Sequence, residues 1–413
     1  MTILVTNTNF LIVGGGIAGV SAAEAIHKVD PDADITLISD EPSLPYFRMS
    51  LTRYLAGEVA RDQLDLHKQG WYLENHINIV VGAHVSDIDS HQKLVTLNDG
   101  RVFQYDKLIL ANGASPFVPP IAGKDLEGVM TLRSLEDAER IIRLYDHPAN
   151  VVCVGGGLLG LEIAGAIARH GLRVTVLEAL DWLLPRQLGR EAAELLRQHI
   201  ESMGISVVVP AKVTALVGGG KVEGVELAAQ SPETNPAVCI PAELVLISAG
   251  VRPNLDLAKL AGIEVNRGVI VNEHMQTSDP DIYAAGDVCE FHGISYGLWV
   301  PAKKQGEVAG RHAAGQPADF AGDPPSAKLK VLGIDLFSIG QFTPTEEGDR
   351  LLAARKDDTY VGLLFRNGVL VGANLLGETG LDSRVKKAID LKTNFSSVLT
   401  DSVTLEEIVA HLS

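Results

Sequence analysis

The sequence is poor in cysteine, in positive charge and in long apolar runs. Its three cysteines, Cys153, Cys239 and Cys289, are scattered over 413 residues, and no two fall in a C-x-x-C or C-x-x-x-x-C pair. That spacing argues against a sequence-local redox disulfide and against a cysteine-ligated metal cluster, so no metal site is expected. So few cysteines suit a reducing cytosol, and each reads as a small buried hydrophobe. No apolar run reaches the roughly 18 residues of a membrane span. No basic region precedes an apolar stretch near the N-terminus, so neither a membrane segment nor a signal peptide is expected and the location is read as cytoplasmic. Lys and Arg number 35 against 52 Asp and Glu, a formal net charge of −17. This argues against nucleic acid, which needs a positive surface.

What is present is a globular composition, 46 % apolar and 21 % charged, in a chain too long for one core; domains of roughly 100–200 residues suggest two or three. The organising stretch is Phe10 to Gly19, FLIVGGGIAG. An apolar strand runs into G-x-G-x-x-G on Gly14, Gly16 and Gly19. Gly14 allows a tight turn, Gly16 lets main-chain N–H groups approach a pyrophosphate, and Gly19 lets the next helix sit close on the strand. The helix opening at Ile17 and Ala18 offers unpaired N–H groups and partial positive charge to phosphates. A helix over Val20–Lys28 and a strand over Ile35–Ser39 follow. Asp40 and Glu41 close that strand near the spacing of roughly 20 residues expected for a ribose-binding acid. The alternative is a glycine-rich structural turn in another α/β unit.

The device recurs in VVCVGGGLLGLEIAGAIARHGLRVTVLEA. Gly155, Gly157 and Gly160 repeat the pattern around Leu158 and Leu159, and Glu178 ends the following strand, Arg173–Leu177. Two fingerprints imply two bound dinucleotides. A carboxylate at Glu178 accepts hydrogen bonds from ribose hydroxyls and repels a 2′-phosphate, and no arginine directly follows it, so NADH is favoured over NADPH. The other reading of Glu178 is a solvated strand end.

Between and beyond these motifs the residues predict further elements. A short helix over Ser50–Leu55 carries Arg48 and Arg53 at its edges, either to hold phosphate or developing negative charge or as solvated cations. A hairpin runs through His84–Asp89, Lys93–Leu97 and Val102–Tyr105, turning at Asn98-Asp99-Gly100. The buried strand Lys107–Ala111 ends in Asn112-Gly113-Ala114, and a proline-rich exit marks a domain crossover. A helix over Ser134–Leu144 is capped by Ser134 with Asp137 three residues on. The helix Glu191–Met203 and the strands Ile205–Val209, Val213–Val217, Val222–Leu227, Ala237–Ile240 and Leu244–Ile247 lead to SAGVRPN. A strand Gly268–Val271 follows, and a short apolar strand brings Asp287 directly after Gly286, where a carboxylate can accept hydrogen bonds from a sugar alcohol. A helix from Pro301 to Ala314, with Lys303, Lys304 and Gln305, would favour negative charge on a group bound at its N-terminus. Asp323-Pro324-Pro325 reads as a linker. Strands over Leu329–Leu336, Thr359–Phe365 and Val369–Asn374 and helices over Leu381–Lys392 and Leu405–Leu412 form an α+β tail suited to an interface.

The ordered set of Gly14–Gly19, LILANGASP, Gly155–Gly160 with Glu178, SAGVRPN and IYAAGD resembles the FAD-dependent pyridine nucleotide-disulfide oxidoreductase superfamily over essentially the whole chain. Within it, ISDEPSLPYFRMSLTRYLAGE, GLWVPAKKQGEVAG and KLKVLGIDLFSIG resemble the rubredoxin reductase and nitrite reductase large-subunit group. The resemblance implies an α/β fold: two Rossmann-like dinucleotide-binding domains plus a C-terminal α+β interface domain. The FAD-binding domain would comprise 1–116 and 251–325, the NADH-binding domain 117–250, and the interface domain 326–413. It implies FAD on the first motif and NADH on the second. The residues it places at the cofactors are Gly14, Gly16, Ile17, Ala18, Gly19, Asp40 or Glu41, Arg48, Ala111, Gly113, Gly286, Asp287, Trp299 and Ala302 for FAD, with Gly250 at a cofactor but assigned to neither. For NADH they are Gly155, Gly157, Leu158, Leu159, Gly160 and Glu178. Arg53 stands where the oxygenase-coupled relatives carry a lysine near the flavin, and Glu162 matches a glutamate near the nicotinamide; these two are the catalytic candidates. The cysteine pair of disulfide reductases, and the single cysteine of peroxidase and oxidase relatives near Arg48, are both absent, so electrons would leave directly from the flavin. The implied acceptor is a small electron carrier such as rubredoxin or a ferredoxin, met at a local basic patch drawn from Arg48, Arg53, Lys303 and Lys304, by a monomer or homodimer. Rival readings are an NADH oxidase making peroxide, the electron-input subunit of a larger complex, and a redox-responsive binding protein.

Overall fold

The computed structural model describes residues 5–145, 150–229, 238–322 and 326–412. The chain divides into two compact units. The first comprises Met1–Phe117, Arg133–Glu139 and Gly250–Asp323; the second comprises Val118–Leu132, Arg140–Ala249 and Pro324–Ser413.

The first unit is built on the strand Val5–Val13, whose last four residues are buried. It pairs in parallel with Ile35–Ile38 and with Val102–Leu110. The strand Ile77–Val80 lies beyond the former, and the hairpin strands Leu94–Leu97 and Val85–Asp89 beyond the latter. The expected hairpin strand Val102–Tyr105 and the expected buried strand Lys107–Ala111 are one continuous strand, Val102–Leu110. The reason is pairing: its first part takes Leu94–Leu97 antiparallel, its second takes Ile282–Ala284 parallel, and the first strand runs along its whole length. The helix Ile17–Val29 begins at the glycine turn. Against it lies the helix Trp299–Ala313, at near backbone contact. A Cβ on Gly306 would stand 2.1 Å from the Ala18 carbonyl oxygen, and one on Gly310 2.4 Å from that of Ala22. Small residues on both helices therefore set their separation.

In the second unit Asn150–Val154, Arg173–Leu177, Ser206–Val208, Leu244–Ile247 and Val129–Met130 form an all-parallel sheet. Parallel strands need crossover connections, which the helices Leu158–Ala168 and Arg190–Ser202 supply. Val213–Val217, Gly224–Leu227 and Val238–Pro241 make a separate antiparallel sheet. The tail is a five-stranded antiparallel sheet carrying the helices Asp382–Asp390 and Leu405–His411 over a core that includes Leu363, Phe365, Leu375, Val385 and Ile408. The single strand expected over Leu329–Leu336 is two, Ser326–Val331 and Ile334–Gly340. Leu332 and Gly333 both take positive φ, +49° and +91°, and turn the chain between them. The expected linker Asp323–Pro325 lies outside the described residues, as does Ala237. No helix among the described residues is long and apolar enough to cross a membrane.

Candidate functional site

Each unit carries a glycine turn, and the two are built alike. Gly14 has φ +122° and Gly155 φ +118°, values a side chain resists. A Cβ on Gly14 would stand 2.1 Å from the Ala111 carbonyl oxygen; one on Gly155 would stand 2.2 Å from that of Ser248. Gly19 would put a Cβ 2.0 Å from the Gly14 oxygen, and Gly160 one 2.0 Å from the Gly155 oxygen. Gly16 and Gly157 meet nothing within 4 Å, so their open faces admit a ligand's close approach. Both cap their helices without a side-chain hydrogen bond, and neither helix has an acidic residue in its first turn. The first N–H groups, at Ile17, Ala18 and Gly19 and at Leu158, Leu159 and Gly160, have no helical carbonyl to bind, and the helix dipole favours an anion there. The cradle therefore fits a pyrophosphate in each unit.

In the first unit Ala111, Gly113, Gly286 and Ala302 lie around this turn and the helix that follows it. Ala111 N–H donates to the Val13 carbonyl at 2.7 Å, so Ala111 to Gly113, where φ is +64°, stand beside Gly14. Asn112 and Asn254 exchange hydrogen bonds through their amide groups, Asn112 Nδ2 to the Asn254 carbonyl at 2.9 Å and Asn254 Nδ2 to the Asn112 carbonyl at 2.8 Å. Asn112 Oδ1 is buried with no hydrogen-bond partner among the described residues, an acceptor that suits a polar ligand at this turn. Gly286 has φ +83°, and its N–H donates at 3.0 Å to Oε1 of the buried Gln305. Asp287 forms an ion pair with Arg133 at 3.1 Å. A Cβ on Gly286 would approach those of Ala18 and Ala302, at 2.9 and 3.7 Å, which ties the Asp287 turn to the first helix. Trp299 is half-buried and stacks on Phe47 at 5.7 Å. Gly250, with φ +100°, accepts the Phe117 N–H at the edge of the unit.

The two adjacent carboxylates differ. Glu41 accepts the Tyr46 hydroxyl at 2.6 Å through Oε2 and Arg48 at 2.5 Å through Oε1. Arg48 also donates to the Arg133 carbonyl. Burial works against the Arg48 charge, but Tyr46, Glu41 and Asp287 together hold its pKa above the ordinary value. Burial pushes the Tyr46 hydroxyl up, with Glu41 adding to the shift. Asp40 is exposed and has no hydrogen-bond or ion-pair partner among the described residues. Arg53 stands apart from this network: it is exposed and paired with Glu58 at 3.2 Å. Lys303 is exposed and lies 3.7 Å from Glu307. Tyr46, Arg133, Asn112 and Asn254 belong to the site although the sequence reading assigned them no role. The first lies in the PYFR stretch and the last ends SAGVRPN, but Arg133 has no local signal.

In the second unit Glu178 Oε2 accepts the Gly156 N–H and Oε1 the Leu180 N–H, each at 2.8 Å. The carboxylate thus braces the glycine turn while each oxygen keeps a further lone pair. Glu162 is half-buried in the helix that follows. Of the three cysteines expected to be buried, Cys153 and Cys289 are, and burial pushes each thiol up to about 12, whereas Cys239 is exposed on the strand Val238–Pro241.

Residues 8–306 match the family model described as pyridine nucleotide-disulphide oxidoreductase, and residues 325–393 match the rubredoxin NAD+ reductase C-terminal domain. An NADH-rubredoxin oxidoreductase of Clostridium acetobutylicum is 33 % identical over 393 residues, spanning 95 % of this chain and 97 % of that protein. A nitrite reductase [NAD(P)H] of Bacillus subtilis is 34 % identical over 396 residues, and this chain spans about half of its length, 48 %. The crystal structure of NADH:rubredoxin oxidoreductase from Clostridium acetobutylicum has a TM-score of 0.83 at 32 % identity, covering 98 % of this chain and 100 % of that one.

Proposed function

The chain belongs to the pyridine nucleotide-disulphide oxidoreductase family, and on that premise we propose that it takes electrons from NADH through FAD to a small redox protein, rubredoxin being the leading candidate. The observation that carries this reading is the pair of matched glycine cradles, one per unit, in a chain with no cysteine pair near either. FAD, when bound, accepts the two electrons of NADH and can release them singly, which a nicotinamide does not do.

The chain's own residues bind and orient. In the first unit, proposed as the FAD domain (residues 1–116 and 251–325), the N–H groups opening the helix Ile17–Val29 hold the pyrophosphate. Asp40 reads the adenosine ribose, because its carboxylate is exposed and has no partner among the described residues, whereas Glu41 is half-buried and held by Tyr46 and by an ion pair with Arg48. Asp287, steered by Arg133, accepts hydrogen bonds from the ribityl hydroxyls. Arg53 and the N-terminus of the helix Trp299–Ala313 favour negative charge on the reduced ring. In residues 117–250, proposed as the NADH domain, the second cradle and Glu178 hold the adenosine half, and Glu162 acts toward the nicotinamide.

For the electron carrier we propose the surface where Phe47 stacks on Trp299. Phe47, Met49, Leu298 and Val300 are exposed there, between 38 and 61 %. Arg48 is bound inward to Glu41, and Arg53 and Lys303 have acidic neighbours, so docking rests on apolar contact with a modest contribution from charge. Residues 326–413 serve as an interface domain in a cytoplasmic monomer or homodimer.

The test is anaerobic stopped-flow: FAD-loaded protein reduced by NADH is mixed separately with rubredoxin, ferredoxin and oxygenated buffer. Fast flavin reoxidation by one carrier and slow reoxidation by oxygen supports the proposal. Fast reoxidation by oxygen alone, with peroxide formed, makes it an oxidase. Slow reoxidation by every acceptor, with NADH-dependent oligomerisation, makes it a redox-responsive binding protein.

A further inference from the structure

Within the second unit the C-terminal sheet reaches the segment that folds over the second glycine cradle, through one buried amide. Asn374, on the strand Val369–Leu376, is 2 % exposed. Its Oδ1 accepts the Gly189 N–H at 2.7 Å, and its Nδ2 donates to the Gln187 carbonyl at 2.7 Å and to the Ala373 carbonyl at 3.3 Å. A main-chain N–H can only donate and a carbonyl can only accept, so these partners fix which way the amide points. Gln187 and Gly189 end a tightly bonded loop. The Gln187 and Leu188 N–H groups both donate to the Leu184 carbonyl at 2.8 Å, and Trp182 Nε1 donates to the Leu188 carbonyl at 2.9 Å. Leu184, at φ +50°, donates its N–H to the Gly156 carbonyl at 3.2 Å. Leu183 lies so close to Gly156 that a Cβ there would stand 2.6 Å from its Cδ2. Gly156 in turn donates to Glu178.

We infer that Asn374 is a positioning residue for dinucleotide binding, holding the 182–189 segment so that Gly156 and Glu178 keep the geometry that receives the adenosine ribose. This rests on reading the second cradle as the NADH site. Removing the amide leaves a half-buried main-chain donor at Gly189 and a half-buried acceptor at Gln187 without their partner on Asn374, which the segment relieves by moving. The same domain makes other attachments that do not touch this segment. Leu332 fills the space above Gly165, where a Cβ would meet Leu332 Cδ2 at 1.9 Å, and the Leu332 carbonyl lies 3.0 Å from His199 Nε2. Those attachments supply the control.

The experiment is calorimetric titration of FAD-loaded protein with ADP-ribose, which occupies the adenosine half of the site without reducing the flavin. For Asn374→Leu the dissociation constant is expected to rise about tenfold, the scale of one lost pair of uncharged, half-buried hydrogen bonds. Asn374→Asp keeps the acceptor for Gly189 but turns a carboxylate oxygen toward the Gln187 and Ala373 carbonyls, and is expected to raise the constant at least as much as Asn374→Leu. Leu332→Ala, which loosens the same domain contact, is expected to leave the constant within twofold. An unchanged constant in Asn374→Leu overturns the inference alone; an equal rise in Leu332→Ala also overturns it, by assigning the effect to domain loosening. Failure of the wild type to bind ADP-ribose overturns the dinucleotide reading of this cradle and the inference with it. Should Asn374→Leu fail to fold, hydrogen exchange of the wild type decides: ADP-ribose is expected to protect residues 182–190 and 369–376 together, and protection of the first segment alone contradicts the inference.

Discussion

We assign separate duties to the adjacent carboxylates Asp40 and Glu41, and exchanging each for its amide tests the assignment. Glu41→Gln removes the charged acceptor from Arg48 while leaving an oxygen for the Tyr46 hydroxyl. A hydrogen bond to a charged group contributes about 1.5–3 kcal/mol. The Arg48 and Glu41 side chains are 27 and 21 % exposed, and solvent screening brings the expected loss to about 1–2 kcal/mol. For a folding unit of this size that lowers the melting temperature of the FAD-free protein by about 2–8 °C. Asp40→Asn removes a charge with no partner among the described residues, so the FAD-free protein should change by less than about 0.5 kcal/mol. Its cost appears on binding: losing a charge-assisted hydrogen bond to the ribose weakens FAD affinity roughly 10- to 150-fold. Thermal denaturation of the FAD-free proteins, with FAD titrations followed by flavin fluorescence, measures both quantities. The division of labour is refuted if Asp40→Asn binds FAD like wild type, or if Glu41→Gln leaves the FAD-free protein as stable as before.

Two further outcomes follow from burial. Because burial raises the Cys153 and Cys289 thiols to about 12 and Cys239 is exposed, the native protein should react with one equivalent of a thiol reagent at mildly alkaline pH and the unfolded chain with three. His312 is held below its ordinary value of 6.5, first by burial and then by His274, stacked on it at 4.4 Å, with Lys107 adding to and Asp319 opposing the shift and the Tyr283 hydroxyl 3.0 Å from its Nδ1. The unfolded chain then binds the proton more readily, so this stability is present above pH 6.5 and is lost as pH falls through the folded value. Between about pH 8 and pH 5 the melting temperature of wild type should therefore fall more steeply than that of His312→Gln; parallel slopes would contradict this.

The sequence made the cradles legible because their chemistry is local: a tight turn, a close approach and a helix start all need glycine at fixed spacing, and the positive φ of Gly14 and Gly155 lies where that logic puts it. Glu178 and the strands Arg173–Leu177 and Leu244–Ile247 were readable for the same reason. What escaped depends on distant partners. The helix Gln69–Glu74 has no side-chain cap to announce it, and the strand Ile77–Val80 follows it after only two residues. The strand Asp349–Lys356, DRLLAARK, consists of good helix formers after its first residue; it is extended because Thr359–Arg366 pairs with it along its whole length. The turn at Leu332-Gly333 puts a leucine at positive φ, which local preference would not choose. Arg133 meets Asp287, and Asn374 meets Gly189, across sequence distances that no local pattern encodes.

The flavin is proposed as the chain's single two-electron reservoir, filled by NADH. The most direct test is an anaerobic titration of FAD-loaded protein with NADH, followed by flavin absorbance. Complete bleaching is expected at one NADH per FAD, with NADPH much the poorer donor. An endpoint of two NADH per FAD would reveal a second two-electron centre, and no bleaching by NADH would remove the dinucleotide reading of the second cradle; either result contradicts the account.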